Sequence, residues 1–288
     1  MEVRDWTALP RDILLDIFFL LGPLEVMMGA EFVCTAWRRA ALKEPTLWRR
    51  VNRDLHYTRC RLVWDVLHHR WRRRISDNTE TAMRFAALDR AAGQCKAFAG
   101  TCDDKKLHHL VARAPYLKSL HVEHYCDKSS CEALVEALRN LTLLKNLRVS
   151  WTYVSHKRDT EDLLQSVCQA CPHLKKLRIW YNKECGCVGT IDVGQIPMMH
   201  ELRYLQLYDV DLSCYALESI LDRCPVLETL DIRGFFNKRE MNSELHMKCA
   251  RLKDLCLLTR SRRHNIIDYY FRGDGYFVEE YTDSEEEC

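Results

Sequence analysis

The sequence predicts an α/β fold in which a small helical unit precedes a solenoid of strand–helix repeats. The chain opens on an amphipathic helical pattern, and beyond residue 90 a leucine frame recurs at spacings of 25–30 residues. With 288 residues, 47% of them hydrophobic, the chain can bury one to three domain cores. Only 10 Gly and 7 Pro argue against a disordered or fibrous chain.

The first element is a helix over residues 9–21, with apolar residues at i, i+3, i+4 and i+7. Pro10 suits its first turn, and Gly22-Pro23 ends it. A second helix is predicted from Leu24 to Arg39, and a third apolar point follows at Leu47-Trp48. So many apolar residues in about fifty positions predict a surface that a partner completes. The alternative is an ordinary helical subdomain packed on the rest of the chain.

Residues 1–50 resemble the F-box family at nearly every hallmark position: Leu9-Pro10, Asp12, Leu14, Ile17-Phe18, Leu21, Val33-Cys34, Trp37-Arg38 and Leu47-Trp48. The resemblance implies a three-helix module that docks on the adaptor Skp1 and so hangs from a cullin–RING ubiquitin ligase. It also implies the Skp1-facing residues, which are Leu9, Pro10, Ile13, Leu14, Ile17, Phe18, Val33, Cys34, Trp37 and Trp48.

Residues 51–90 are expected to form a helical linker that contains a basic run. Four arginines, Arg70 and Arg72 to Arg74, flank Trp71. The favoured interpretation is a solvated helix that buries Trp64, Leu67 and Trp71 at i, i+3 and i+7. The alternative is a contact with nucleic acid or a nuclear import signal.

Residues 91–260 carry the repeats, about six to seven of them. Six frames of the form Leu-x-x-Leu-x-aliphatic begin at Leu117, Leu144, Leu174, Leu202, Leu227 and Leu252. Their lengths fit leucine-rich repeats with parallel strands inside and helices outside. Helical apolar stripes precede several frames in constant register, as do Pro115, Pro172 and Pro225. Cys95-x-x-Phe98 is a degenerate first candidate, and the segment before Leu202 lacks the stripe.

Two of the frames indicate which class of leucine-rich repeat is present. Cys171-Pro172-x-Leu174 and Cys224-Pro225-x-Leu227 resemble the cysteine-containing repeats that accompany F-boxes. The order of F-box, basic stretch, short repeat array and acidic tail is similar to plant F-box/leucine-rich-repeat proteins of the Skp1-interacting-partner type.

The concave face of such a solenoid is predicted from strand alternation. Residues between the aliphatic positions face away from the core and stack in rows. Arg148 and Arg178 should stand on neighbouring strands beside exposed aromatic rings, which suits an acidic or phosphorylated protein target. The alternative is that these arginines are solvated or paired locally, for instance with Glu123 or Asp231, and that the target uses loops. The predicted substrate-binding residues are His121, Arg148, Arg178, Trp180, Gln206, Tyr208, Asp231 and Arg233.

The 15 cysteines do not form a recognisable catalytic or metal constellation. Cys168-x-x-Cys171 could be a redox pair or half a zinc site, but both residues fall on the core stripe of a repeat. Cys185-Gly-Cys187 is the better metal candidate, without a second pair at zinc-finger spacing. The adjacent pairs His68-His69 and His108-His109 point to different helix faces. We therefore expect no catalytic residues, no metal and no cofactor.

Residues 261–288 read as an aromatic and then acidic tail. Residues 268–288 hold eight acids against the single Arg272, although the net charge of the chain is only +2. Ser284 before three glutamates is either a kinase site or part of a solubilising end. The aromatic stretch from Tyr269 to Phe277 is expected to cap the last repeat. Without an apolar stretch for a membrane span or an export signal, we expect the protein in the nucleus or cytoplasm.

Together these features predict a non-catalytic substrate receptor. Residues 1–50 would bind Skp1, and the repeats would hold a protein target for ubiquitination. One alternative is a scaffold that assembles partners without degrading any. A less favoured alternative is a nucleic-acid-binding protein that uses the arginine run; contact with a membrane is not expected.

Overall fold

The computed structural model describes residues 6–51, 62–65, 70–73, 77–126, 131–153, 163–183, 190–191 and 196–259. Its described helices are α1 (Arg11–Leu21), α2 (Pro23–Met28), α3 (Thr35–Lys43), α4 (Asp77–Arg90), α5 (Asp104–Arg113), α6 (Cys131–Asn140), α7 (Leu163–Ala170), α8 (Cys214–Arg223) and α9 (Ser243–Ala250). Its strands are β1 (Arg50–Val51), β2 (Leu62–Asp65), β3 (Arg70–Arg73), β4 (Ala97–Thr101), β5 (Ser119–Cys126), β6 (Asn146–Tyr153), β7 (Lys176–Lys183), β8 (Thr190–Ile191), β9 (Tyr204–Leu212), β10 (Thr229–Phe236) and β11 (Asp254–Thr259).

The N-terminal helices pack around Trp48, which is fully buried and donates from Nε1 to the Ala41 carbonyl at 3.1 Å. Helix α1 ends where Gly22 adopts a φ of +80°, and Pro23 starts α2 at once. The single helix predicted from Leu24 to Arg39 is wrong, because α2 stops at Gly29 and a 3₁₀ turn precedes α3. Gly29 is a weak helix former, so the break falls where helix propensity is lowest.

The repeats form one parallel sheet in the order β1-β4-β5-β6-β7-β9-β10-β11, with β8 paired to β9 at its side. The second leucines of the six frames stand opposite one another from Leu120 to Leu255, which confirms the predicted register. Phe98 lies opposite Leu120, so the degenerate candidate is a true repeat strand. The inward leucines and the helices α5–α9 enclose a continuous core.

The N-terminal module is joined to the solenoid through the sheet itself. Val51 of β1 pairs with Phe98 of β4 in parallel. The Arg90 guanidinium lies 2.9 Å from the Glu31 carboxylate, and its carbon is 4.9 Å from the centroid of the Trp48 ring. Helix α4 therefore ties the two regions together, because Arg90 belongs to it while Glu31 and Trp48 belong to the module.

The helical linker predicted for residues 51–90 is wrong over its first part. Residues 62–65 and 70–73 form an antiparallel hairpin in which Trp64 stands opposite Trp71, and only Asp77–Arg90 is helical. The predicted stripe of Trp64, Leu67 and Trp71 cannot exist on a hairpin. Leu67 and Arg74 lie outside the described residues.

The fourth inter-strand segment departs from the repeat, as its sequence indicates. In the described residues 196–203 no helix precedes β9. Ile196 and Met199 are buried there and contribute to the core. Further on, the register between β9 and β10 shifts at Gly234, and Asp209 adopts a φ of +58° beside that shift.

Candidate functional site

The N-terminal module divides its predicted docking residues into two groups. Leu14, Phe18, Trp37 and Trp48 are buried in the chain's own core, so the structure corrects their role from partner contacts to packing residues. The rings of Phe18 and Trp37 pack edge to face with their centroids 5.7 Å apart, so these two side chains bury each other. The other six are accessible: Leu9, Ile17 and Cys34 are half-buried, whereas Pro10, Ile13 and Val33 are exposed.

Helix α1 carries a second apolar stripe, in which Ile17 packs at the edge of this core and its neighbours are exposed. Ile13, Ile17 and Leu20 fall at i, i+4 and i+7, and Leu20 is 82% exposed. Phe32 and Val33 add exposed apolar side chains after α2. The sequence interpretation missed Leu20 and Phe32, although the spacing of Leu20 from Ile13 was the available signal. Large exposed apolar patches mark interaction sites in proteins that are otherwise well packed.

The concave face of the repeats holds the eight predicted substrate-binding residues in the expected order. His121 stands opposite Arg148, Arg148 opposite Arg178, and Arg178 opposite Gln206. Trp180 stands opposite Tyr208 in the row that follows. The structure therefore brings these residues together across adjacent strands.

Aromatic rings and guanidinium groups form a stack that crosses four strands. The Arg148 guanidinium carbon lies 4.5 Å from the Trp180 centroid, and Trp180 stacks on Tyr208 at 4.1 Å with 19° between planes. Arg233 continues the stack at 5.0 Å from the Tyr208 centroid. Since Arg148 and Tyr208 come from opposite sides of β7, both faces of Trp180 are covered. The expectation of exposed aromatic rings is therefore wrong: Trp180 is half-buried and Tyr208 is buried.

Asp231 contacts three side chains at the C-terminal end of this stack. It accepts a 2.9 Å hydrogen bond from the Gln206 amide and forms a 3.1 Å ion pair with Arg233. The Tyr208 hydroxyl lies 3.5 Å from the same carboxylate, and burial raises the pKa of Tyr208 to about 12. Arg233 is therefore paired with a carboxylate of the same concave face. Arg178 instead stacks over Tyr204 at 4.8 Å.

The two cysteines of Cys168-x-x-Cys171 are buried and have the chemistry of core residues, as does Cys224. Burial raises the pKa of Cys171 and of Cys224 to about 12, and it raises the pKa of Cys168 still further. The thiolate, which is the nucleophilic and metal-binding form, is therefore disfavoured at Cys168-x-x-Cys171. Cys185-Gly-Cys187 and His68-His69 lie outside the described residues. His109 instead contacts Asp89 at 2.9 Å.

The described residues show neither a cluster of metal-ligating side chains nor a single helix that could span a membrane. No group of three or more His, Cys, Asp or Glu side chains in these segments could hold a metal ion. No single described helix is long and apolar enough to cross a membrane; residues 11–32 reach that length and composition only as two helices bent by 108°.

Comparison with known proteins decides the family. Residues 6–54 match the F-box-like family model, and residues 153–269 match the model for the leucine-rich repeats of the FBD-associated F-box protein At5g56370. The F-box protein SKIP19 of Arabidopsis thaliana is 31% identical over 253 residues, which cover 86% of this chain and 75% of that protein. The chain belongs to the F-box/leucine-rich-repeat family.

Other members extend the comparison. F-box/LRR-repeat protein 23 of Arabidopsis thaliana is 30% identical over 263 residues, 88% of this chain, and the chain spans 53% of that protein's length. The human F-box/LRR-repeat protein 12 is 25% identical over 294 residues, which cover 87% of this chain and 86% of that protein. Members of this family are generally non-catalytic adaptors built for protein–protein interaction, and the resemblance to plant F-box/leucine-rich-repeat proteins is confirmed.

Proposed function

We propose that this F-box/leucine-rich-repeat protein is the substrate-recognition subunit of a Skp1–cullin–F-box ubiquitin ligase, acting in the nucleus or cytoplasm. The observation that carries the proposal is an apolar stripe left exposed on a module that already has its own core. Its F-box would dock on Skp1, and its repeats would bind a protein target. The protein itself would supply no catalytic residue.

The Skp1 contact is centred on the exposed stripe of α1. Ile13 and Leu20 are 50% and 82% exposed, so covering them removes apolar surface from water without disturbing the packing inside the module. Full burial of one such side chain contributes about 1.5–3 kcal/mol. Val33 and Phe32 add to the same apolar character on the segment after α2.

The target contact is assigned to Arg148 and Arg178. Each guanidinium carbon lies over an aromatic ring from the next strand, Trp180 and Tyr204 respectively. A stacked guanidinium loses less side-chain freedom on binding, and its N–H groups lie in the plane at right angles to the stacking direction. Planar forks of this kind recognise carboxylates and phosphates in two-point fashion. The target class is therefore an acidic or phosphorylated segment.

Ubiquitin transfer would follow from proximity. A receptor that holds the target on the repeats and Skp1 on the F-box raises the effective concentration of target lysines at a conjugating enzyme bound elsewhere in the ligase. The ties from Arg90 to Glu31 and Trp48 help to keep the two binding surfaces in a fixed relation.

The Skp1 contact is tested by affinity purification of wild-type protein and of the double variant Ile13→Asp/Leu20→Asp. Loss of Skp1 and cullin from the variant is expected, because it places two charges in an apolar contact. The matched control is Tyr215→Asp/Met247→Asp, which adds the same charges at exposed positions of α8 and α9. Undiminished Skp1 on a folded Ile13→Asp/Leu20→Asp protein would contradict the proposal.

The target contact is tested separately with Arg148→Ala/Arg178→Ala against Arg139→Ala/Arg223→Ala, whose arginines are exposed on α6 and α8. Quantitative interaction proteomics should show a partner lost only from the first pair, with Skp1 retained by both. If no partner is lost, the concave face is not the target site. A longer half-life of that partner after depletion of the protein distinguishes a ligase receptor from a scaffold.

A further inference from the structure

A row of basic residues runs along one edge of the whole sheet. Each repeat places one residue immediately after its first core position, and from Lys96 onward the backbone N–H of each such residue donates to the carbonyl of the preceding one at 2.7–2.9 Å. In strand order these residues are Arg49, Lys96, Lys118, Lys145, Lys175, Arg203, Glu228 and Lys253. We name this set the basic row. At about 4.8 Å between strands, its seven steps span about 34 Å.

The basic row contains more Lys and Arg than the composition of the whole chain would predict. Lys and Arg make up 43 of 288 residues, about one residue in seven, yet they occupy seven of these eight equivalent positions. The positions neighbouring them on each strand are mixed, for example Ser119, Asn146, Thr229 and Asp254. Like charges directly opposite one another on adjacent strands are destabilising. A row of them therefore carries a cost in folding stability.

The side chains at the two ends of the basic row have partners among the described residues, whereas those of its four central lysines have none there. Arg49 donates to the Gln94 side chain at 3.0 Å. Glu228 forms ion pairs with both Arg203 and Lys253, and these two cations lower the pKa of its carboxyl group. Among the described residues, Lys96, Lys118, Lys145 and Lys175 have no such side-chain partner.

The four central lysines are suited to binding an extended polyanion. Lysine ammonium groups are compact point charges on flexible stems and do not impose the two-point geometry of arginine. No described aromatic ring stacks with these four lysines, so stacking of nucleic-acid bases is not favoured here. A linear run of carboxylates on an extended chain is a polyanion of this kind.

The chain contains such a run in its own tail. Residues 279–288 hold Glu279, Glu280, Asp283 and Glu285 to Glu287, without a single Lys or Arg. Nineteen residues lie between Thr259, the end of β11, and Glu279, and an extended chain over these twenty steps reaches up to about 70 Å. That exceeds the 34 Å length of the basic row. Covalent attachment also places the acids at a high effective concentration near the lysines.

We propose that the acidic tail, residues 279–288, binds along the basic row of its own chain, centred on Lys118, Lys145 and Lys175. The tail would then screen this edge of the sheet from other polyanions. Phosphorylation of Ser284 would strengthen the contact, because it adds negative charge within the acidic run. This inference is independent of Skp1 binding and of the concave arginines.

The location of the tail is tested by zero-length carboxyl–amine crosslinking of the full chain, followed by mass spectrometry. Crosslinks from Glu279 to Glu287 are expected at Lys118, Lys145 and Lys175 and not at Lys105 on α5, and they should be lost at high ionic strength. Mixing isotopically heavy and light protein separates contacts within one chain from contacts between chains. Crosslinks spread evenly over surface lysines, or found only between heavy and light chains, would overturn the proposal.

A second measurement does not depend on lysine as the reacting group. Cleavage of the tail by a glutamate-specific protease should be faster in Lys118→Gln/Lys145→Gln/Lys175→Gln than in wild type. The control Lys105→Gln/Arg139→Gln/Arg223→Gln removes three exposed charges from the helical side and should keep the slow rate. Equal cleavage rates in all three proteins would refute the contact. An oligonucleotide that binds the basic row while the tail stays uncrosslinked would make it a nucleic-acid site instead.

Discussion

The Trp180 indole stacks on the Tyr208 phenol ring with centroids 4.1 Å apart and planes 19° apart. The two residues occupy equivalent positions on neighbouring strands, so the repeat itself brings the rings together. Arg148 and Arg233 close the two ends of this pair. The aromatic pair therefore acts as a brace that orients arginines on the concave face, rather than as a surface on which a ligand could stack.

Replacing Trp180 with leucine should reduce both stability and target binding. The variant loses the stack with Tyr208 and the cation–π contact with Arg148, which together contribute about 1–2 kcal/mol to the free energy of unfolding. Urea unfolding measures that loss. Tyr116→Leu is the control, because Tyr116 is exposed and no described ring stacks on it. Equal stability of the two variants would show that the stack is not a brace.

Leu14 and Ile13 are neighbours in sequence, but their substitutions should have different effects. Leu14→Ala should lower the free energy of unfolding by about 2–5 kcal/mol, because Leu14 is buried in the module core. Ile13→Ala should change it by less than about 0.5 kcal/mol and should still weaken Skp1 binding, because Ile13 is half exposed. Thermal unfolding and Skp1 titration of both variants separate the two effects. A destabilised Ile13→Ala protein would contradict the assignment of the stripe.

The sequence predicted the repeat register well because each frame repeats the same packing requirement. Leu120, Leu147 and Leu177 must all face one core, and a shift by one residue would turn each of them to solvent. The same frames placed Arg148 opposite Arg178. Because every repeat must bury its leucine in the same core, only one strand register fits all of the repeats.

The errors fall where the pattern was short or equally consistent with two structures. Trp64 and Trp71 are seven residues apart, which suits one face of a helix and also suits a cross-strand pair of a hairpin. Strand β1 has only two residues, too few to show any period. On α1 both sides of the helix are apolar, so composition could not show that Leu14 packs inward while Ile13 faces outward. Side-chain stacking likewise depends on rotamers that spacing does not determine.

Gly234 should not tolerate a side chain. A Cβ atom built at Gly234 would lie 1.7 Å from the Val210 carbonyl oxygen, so the backbone of β9 or β10 would have to move. We expect Gly234→Ala to cost about 1–3 kcal/mol or more in unfolding free energy. Gly29→Ala is the control, since the nearest atom to its added methyl group is 3.5 Å away. Similar unfolding midpoints for both variants would contradict the close approach at the register shift.

The buried pair of Arg84 and Glu80 should be sensitive to loss of one partner. The Arg84 guanidinium lies 2.7 Å from the Glu80 carboxylate and donates to the Ala99 carbonyl at 2.6 Å, linking α4 to β4. Arg84→Met should cost about 3–5 kcal/mol, because the Glu80 carboxylate remains buried without this guanidinium. The exposed pair of Arg113 and Asp89 gives the control, and Arg113→Met should cost at most about 1 kcal/mol. Denaturant unfolding of both variants gives the comparison, and equal costs would contradict the structural role of Arg84.

Leu255 marks the end of the solenoid that needs a cap. It is 38% exposed on β11, whereas its equivalent Leu230 on β10 is completely buried. We expect the aromatic stretch from Tyr269 to Phe277 to cover this end, because a solenoid otherwise exposes its last core layer. Deletion from Asp268 onward should therefore lower the melting temperature. Burial of one apolar side chain is worth about 1.5–3 kcal/mol, which corresponds to about 2–5 °C in a protein of this size.

A shorter deletion separates capping from charge. A chain that ends at Val278 keeps the aromatic stretch and loses only the exposed ion pairs of the acidic residues, so its melting temperature should fall by much less than that of the deletion from Asp268. Differential scanning calorimetry of the full chain and both truncations provides the measurement. If both truncations melt with the full chain, the aromatic stretch does not cover Leu255. If both melt equally early, the stabilising contact lies in the acidic residues and the cap is wrongly assigned.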